Sequence, residues 1–206
     1  MAIADGMAIN CSDLQAVGGT RLIAIRKWQA GDVVVFDDGN HNIDSIKAGA
    51  SDADWGVYES RIESSSITIS ATNENKEFTA YDCAVSWFIP GLTPDQFRKL
   101  HAFEGGDCFM VLVVDNNDNP SGTTLPTANQ DHNRVIGVSN TLANQDDAVR
   151  TQQYCTVRSI EGGTGAAYSD EIGVTITVGC IQYEIPRKYE GAITIGATGM
   201  TLTTGA

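Results

Sequence analysis

A chain of 206 residues with 42% hydrophobic side chains has material for one sizeable core, and all-β domains of this length often stay undivided. Its formal net charge of −13, from 13 Lys and Arg against 26 Asp and Glu, argues against a close-fitting nucleic-acid groove, because cations carry phosphate contact. The same charge suits a surface that lets DNA pass without sticking, or an ordinary acidic protein. No run of about 18 apolar residues occurs, so no transmembrane helix is expected. The opening MAIADGMAINCSDLQ lacks a basic segment followed by a long apolar core, so it does not read as a secretory signal. Met-Ala-Ile recurs at Met7, and residues 1–10 read as a flexible extension.

In chain order, TRLIAIRKW (Thr20 to Trp28) follows Gly18–Gly19 and predicts a strand. Val33 to Phe36 is a short apolar run closed by Asp37, Asp38 and Gly39, a buried or edge strand. Residues 37–54 hold five Asp and little periodicity, which predicts a loop with at most a surface strand around Ile43 and Ile46. GVYES and SSITISA are two further strands, and in the second Ile67 and Ile69 alternate with Thr68 and Ser70. Asn73-Glu74-Asn75-Lys76 has hairpin-turn composition. From Phe78 to Ile89, Tyr81, Cys83, Val85, Trp87 and Ile89 share one face, while the opposite face is mixed.

Leu92 to Glu104 predicts one α-helix, at about residues 94–104. Thr93 can cap it, Pro94 takes the first helical position, Gln96 completes a T-x-x-Q capping box, and Gly105–Gly106 ends it. Phe97, Leu100 and Phe103 or His101 form its apolar face. Phe109 to Val114, FMVLVV, predicts a buried strand. Asp115 to Asn133 reads as a long polar loop, Arg134 to Ser139 as a short strand, and Asn140 to Gln153 as a loop or helical turn.

The most regular stretch is Tyr154 to Ile185. Two alternating runs flank a glycine-rich middle and predict a long hairpin. Mirrored about Ala167 and Tyr168, the arms set Cys155 opposite Cys180, Val157 opposite Val178 and Ser159 opposite Ile176, so the apolar faces coincide. The other face pairs Arg158 with Thr177 and Ile160 with Thr175. Cys155 and Cys180 should lie side by side as thiols. After Pro186 the segment GAITIGATGMTLTTGA carries no charge beyond Glu190; its strand-like pattern over 191–206 suits pairing with a neighbour's edge, a last internal strand, or a frayed end. With roughly eight to ten strands and one helix, the fold class is mainly β: an antiparallel β-sandwich or barrel with one packed α-helix, in a single domain spanning 1–206.

Few residues suggest chemistry. His41, His101 and His132 share no HExxH motif and no metal spacing with cysteine. The five cysteines, Cys11, Cys83, Cys108, Cys155 and Cys180, are odd in number and form no CxxC, which points to thiols in a reducing compartment rather than a zinc site or disulfide framework. Glu161–Ala167 is glycine-rich but lacks the Lys-Ser/Thr of a phosphate loop. Asp115-Asn116-Asn117-Asp118-Asn119 begins like a calcium loop, yet Pro120 and Pro126 replace the required Gly and Glu. No catalytic, cofactor or metal residue is expected, and the chain is not read as an enzyme. The residues singled out for assembly are those of the hairpin tip, Glu161, Gly162, Gly163, Thr164, Gly165, Ala166, Ala167, Tyr168, Ser169 and Asp170, expected to order against a neighbour.

NRVIGVSNTL, followed after a spacer by VRSIEGGTGAAYSDEIGVTITVGCIQYEIPRKY, resembles the tail tube (major tail) proteins of tailed bacteriophages. Gly165, Ala167, Asp170, Gly173, Glu184 and Pro186 fit that family's loop and following strand; Ile172 stands where Asn is expected, and Asp115–Asn133 is longer than the family's tight turn. The opening CSDLQAVGGTRLIAIRKW is similar to the start of such proteins. The resemblance implies a β-barrel or sandwich with a flanking helix that self-assembles into hexameric rings, stacked as a hollow tube for DNA ejection. It implies a virion component assembled in the host cytoplasm, with its own copies and other tail proteins as partners, DNA as transient cargo, and no membrane or cofactor. Two alternatives stay open: a capsid decoration or head–tail connector protein, and a carbohydrate-binding β-sandwich using Trp55 or Trp28 as a platform.

Overall fold

The structure is a computed structural model that describes residues 19–29, 32–37, 39, 41–47, 55–59, 64–72, 79–91, 93–115, 124–125, 133–140, 153–164, 171–195 and 200–203. Its strands are Thr20–Lys27 (β1), Val33–Asp37 (β2), Asn42–Lys47 (β3), Gly56–Glu59 (β4), Ser65–Thr72 (β5), Ala80–Pro90 (β6) and Phe109–Asp115 (β7). Thr124–Leu125 (β8), Asn133–Ile136 (β9), Thr156–Gly163 (β10), Gly173–Gln182 (β11), Lys188–Tyr189 (β12), Ala192–Ile195 (β13) and Met200–Thr203 (β14) follow. A short helix, Pro94–Leu100 (α1), runs into a 3-10 turn at His101–Phe103. The fold is mainly β and sandwich-like, and no sheet closes into a barrel among the described residues.

The central sheet has the order β4-β1-β7-β9 and is buried on both faces. On one side Ile23, Ile25, Val111 and Val113 pack against Val85, Trp87, Ile176 and Val178 of an outer sheet ordered β10-β11-β6-β5. On the other, Leu22, Ala24, Leu112 and Val114 pack against Ile43, Ile46, Trp55 and Tyr189, with β3 belonging to a third sheet, β12-β3-β2. Two-sided burial is why FMVLVV is a continuous apolar run, since neither face meets water. Each fully buried aliphatic side chain contributes roughly 1.5–3 kcal/mol, so these two interfaces dominate the fold's stability. All pairings are antiparallel except β12 with β3.

The helix closes one open side of the first core. Leu100 and Phe103 are buried there, and Phe103 lies 5.9 Å from Tyr58 and 5.7 Å from Phe109, ring centre to ring centre. The capping box forms as expected: Thr93 N–H donates to Gln96 Oε1 at 2.7 Å, and Gln96 N–H donates to Thr93 Oγ1 at 3.4 Å. Phe97, expected on the apolar face, is instead 54% exposed, because the helix is short and only its C-terminal end reaches the core.

Two further expectations change, and one of three alternatives for the C-terminal segment is selected. The aspartate-rich stretch 37–54 contains β3, and Ile43 and Ile46 are fully or nearly buried. Their spacing of three hides the strand, because Asp44 is bulged: Phe36 pairs with Ile43 and Val35 with Ser45, which returns Ile43 and Ile46 to one face. The long loop Asp115–Asn133 contains β8, which pairs with β13. The C-terminal segment forms the antiparallel pair β13–β14 beside β8, so within 191–206 the strands join a sheet of their own chain. Residues 1–10, the Asn73–Lys76 turn and His132 lie outside the described residues.

Candidate assembly surface

The hairpin prediction holds in outline and shifts in detail. Val157 faces Val178 as expected, and Thr156 faces Gly179. Arg158 is then bulged, so Ser159 faces Thr177 rather than Ile176, and Ile160 faces Ile176 rather than Thr175. One extra residue exchanges the two faces of everything beyond it. The bulge turns Ile160 to the core side and leaves Arg158 on the open face, where it packs over Gly179 and binds Asp82 on β6.

The outer sheet ends in two eight-residue edges, β10 and β5, neither paired further among the described residues. Each edge exposes an isoleucine on the side that is core elsewhere. Ile69 lies opposite Cys83 and is 42% exposed; Ile160 lies opposite Ile176 and is 41% exposed. Beside Ile160, Phe97, Leu100 and Val174 line an apolar groove between the helix and the β10–β11 hairpin. Unprotected strand edges of this length are templates for pairing with another chain.

The solvent face of the same sheet is hydroxyl-rich, and by register it also carries Phe88 and the exposed Ile181. By register, Ser66, Thr68, Ser86, Thr175 and Thr177 share it, and Thr177 Oγ1 lies 3.3 Å from Ser86 Oγ. Its Arg158 and Asp82 are partnered with each other.

Of the hairpin-tip residues singled out from sequence, Glu161, Gly162 and Gly163 belong to edge strand β10 and Thr164 follows it, all exposed. Gly165, Ala166, Ala167, Tyr168, Ser169 and Asp170 lie outside the described residues. Sequence reasoning missed β5 as the opposite edge; its alternating SITIS gave the strand but not its place at the rim. Glu184 is held by hydrogen bonds within the fold, and Pro186 is buried. Glu184 accepts from Asn140 N–H at 2.6 Å and from Arg187 Nε and Nη2 at 3.0 and 2.9 Å. Arg187 in turn lies 5.1 Å from the Phe36 ring centre, tying the hairpin's exit to β2.

Among the described residues those with catalytic potential do not converge. His41 is exposed with its Nε2 3.3 Å from the Ile185 carbonyl, and His101 is exposed beside Glu104 at 2.6 Å. Among the described residues no group of three or more His, Cys, Asp and Glu is arranged to hold a metal ion, and no helix is long and apolar enough to cross a membrane. Trp55 is buried, and Trp28 stacks on Tyr154 at 4.6 Å, so neither stands free as a sugar platform.

On the sheet's core face Cys155, Cys180 and Cys83 form a row across three neighbouring strands, all buried and all free thiols. A hydrogen bond to Cys180, then burial, pushes the Cys83 thiol well above its usual range. For Cys180, the hydrogen bond with Cys155 and burial outweigh the opposing hydrogen bond from Cys83, and its pKa is also raised. Burial likewise pushes Tyr189 up to about 12. Folded-state values above the unfolded ones mean that unfolding releases protons at alkaline pH. This stability is complete below the ordinary thiol value of 9.0 and is lost as pH rises past it. The urea midpoint should therefore fall between about pH 8 and about pH 10, and fall less in Cys83→Ala/Cys180→Ala. An equal fall in the double variant would remove the thiols as the cause.

The fold and this surface define a mainly-β, sandwich-like protein with two sheet edges unpaired among the described residues. No family model, curated protein or solved structure matches the chain.

Proposed function

We propose that this chain is a structural subunit that assembles head to tail into closed rings, stacked as the tail tube of a bacteriophage through which DNA is ejected. The observation that carries this reading is the pair of edges left unpaired among the described residues, each with an exposed isoleucine on its core side. Strands alternate in direction across the outer sheet, so β5 and β10 run oppositely. In a cyclic arrangement β5 of one copy meets β10 of the next antiparallel, and the sheet continues without a break. Such a heterologous contact closes into a ring and leaves no edge. Joining would bury Ile69 against Ile160 and draw Phe97 out of water.

The other two layers stand on one side of the outer sheet, so ring closure places them outside and the hydroxyl face inside. Hydroxyls and the apolar Phe88 and Ile181, with Arg158 partnered by Asp82, would offer DNA no cationic clamp. The motif resemblance described above points to the same role, with no catalytic activity, other tail proteins as partners, and assembly in the host cytoplasm.

The test is electron microscopy of the purified protein with two charge variants. The unaltered chain is expected to give stacked rings. Ile69→Lys and Ile160→Lys should each give a folded monomer without rings, because a charge on an edge blocks pairing while an exposed site changes stability by only about 0.5 kcal/mol. Trimers or single rings that never stack would favour a decoration or connector protein instead, and tubes formed by both variants would eliminate this interface.

A further inference from the structure

We infer that Cys180 is the pivot of a latent cross-strand disulfide: oxidation joins it to Cys155 on one side or to Cys83 on the other, and joins no other pair in the row. Cys180 lies directly opposite Cys83 in the β6–β11 ladder. Directly opposed residues on antiparallel strands have Cα atoms about 4.5–5.5 Å apart, inside the roughly 4.4–6.8 Å that a disulfide spans. On the other side, extending the Thr156–Gly179 pairing by one residue sets Cys155 opposite Cys180. The Cys180 thiol donates to Gln182 Oε1 at 3.5 Å and the Cys83 thiol to the Tyr81 carbonyl at 3.8 Å, and all three thiols are buried in one core cluster. Cys83 and Cys155 are two strands apart, about 9.5 Å at ordinary strand spacing and beyond disulfide reach.

The reaction balances with a small-molecule disulfide as oxidant. Two protein S–H bonds break and one S–S bond forms; the oxidant takes the two electrons and two protons and leaves as two thiols. Access comes through the edge. Cys155 itself is held to Phe109 by two backbone hydrogen bonds, but β10, which follows it, is unpaired on its outer side among the described residues, and local opening of an edge strand costs less than global unfolding. In a reducing compartment the row stays three thiols, and a chain that reaches oxidising surroundings can staple β11 to its neighbour. The inference stands apart from the tube reading, because the crosslink is intramolecular and is tested on unassembled chain.

The experiment uses the full chain carrying Cys11→Ser and Cys108→Ser, exposed while folded to excess small-molecule disulfide at mildly alkaline pH. The expected product is about 2 Da lighter than the reduced chain, with one thiol left free and Cys180 in every linked peptide. Its melting temperature should rise by about 5 °C or more, since the bond closes a long loop. Adding Cys180→Ala should abolish the crosslink, whereas Cys83→Ala or Cys155→Ala should each keep one. If Cys180→Ala does not fold, the peptide map of the parent decides alone. A Cys83–Cys155 peptide, a crosslink that survives Cys180→Ala, or a folded parent that forms no crosslink overturns the inference.

Discussion

Asp32→Ala is expected to lower stability by about 3–5 kcal/mol, among the largest effects of any single side chain here. Arg26 Nη2 binds Asp32 Oδ1 at 2.7 Å, with the two side chains only 4% and 0% exposed. Asp32 Oδ2 also accepts Gln29 N–H at 3.0 Å, holding the turn between β1 and β2. Arginine cannot shed its proton at any ordinary pH, so removing the carboxylate takes from a buried guanidinium the counter-charge that Asp32 supplies. The penalty is desolvation rather than a lost contact. Replacing both partners, as Arg26→Met/Asp32→Ala, should therefore recover most of the loss, leaving about 1 kcal/mol for the Gln29 hydrogen bond. Urea unfolding with an unchanged m-value reads both. A single-variant cost below about 1 kcal/mol would mean that the pair is solvated in solution.

Gly137→Ala should cost on the order of 3 kcal/mol or more, for two independent reasons. Gly137 has φ +87, a conformation that costs a side chain about 1–3 kcal/mol. A Cβ there would also sit 2.8 Å from the Phe109 carbonyl oxygen and 2.9 Å from Cys155 Sγ. Neither neighbour can step aside: Phe109 and Cys155 exchange backbone hydrogen bonds of 2.8 and 2.9 Å, and Gly137 N–H donates to Gln182 Oε1 at 3.1 Å. Gly106 is the control. It has φ +67 with nothing within 4 Å of a built Cβ, so Gly106→Ala should cost about 1 kcal/mol, the conformational part alone. Thermal melts of the two variants separate strain from overlap, and equal costs would show that the overlap relaxes freely.

Much of the strand content was legible because a strand with one buried face must alternate. Tyr81, Cys83, Val85, Trp87 and Ile89 alternate on β6, and the side that they mark as apolar is the side that packs. The helix was legible for a similarly local reason, its capping box and closing glycines. What escaped was anything set by one inserted residue. Asp44 and Arg158 each bulge out of a ladder, and each reverses the face that its neighbours' parity predicts. Nothing in the local pattern marks either residue as the extra one.

The hairpin from Tyr154 to Ile185 holds both halves of this division. Its two arms and the closeness of Cys155 to Cys180 follow from the chain's own alternation about a glycine-rich centre, since hairpin partners are neighbours in sequence. The third thiol does not. Cys83 joins the row only because β6 lies along the far side of β11, and the order β10-β11-β6-β5 also decides which strands are left as open edges. Sheet order is a choice among long-range pairings of similar local quality, settled by which arrangement buries both faces of the central sheet at once. That is a property of the packed chain, and no stretch of it carries the information alone.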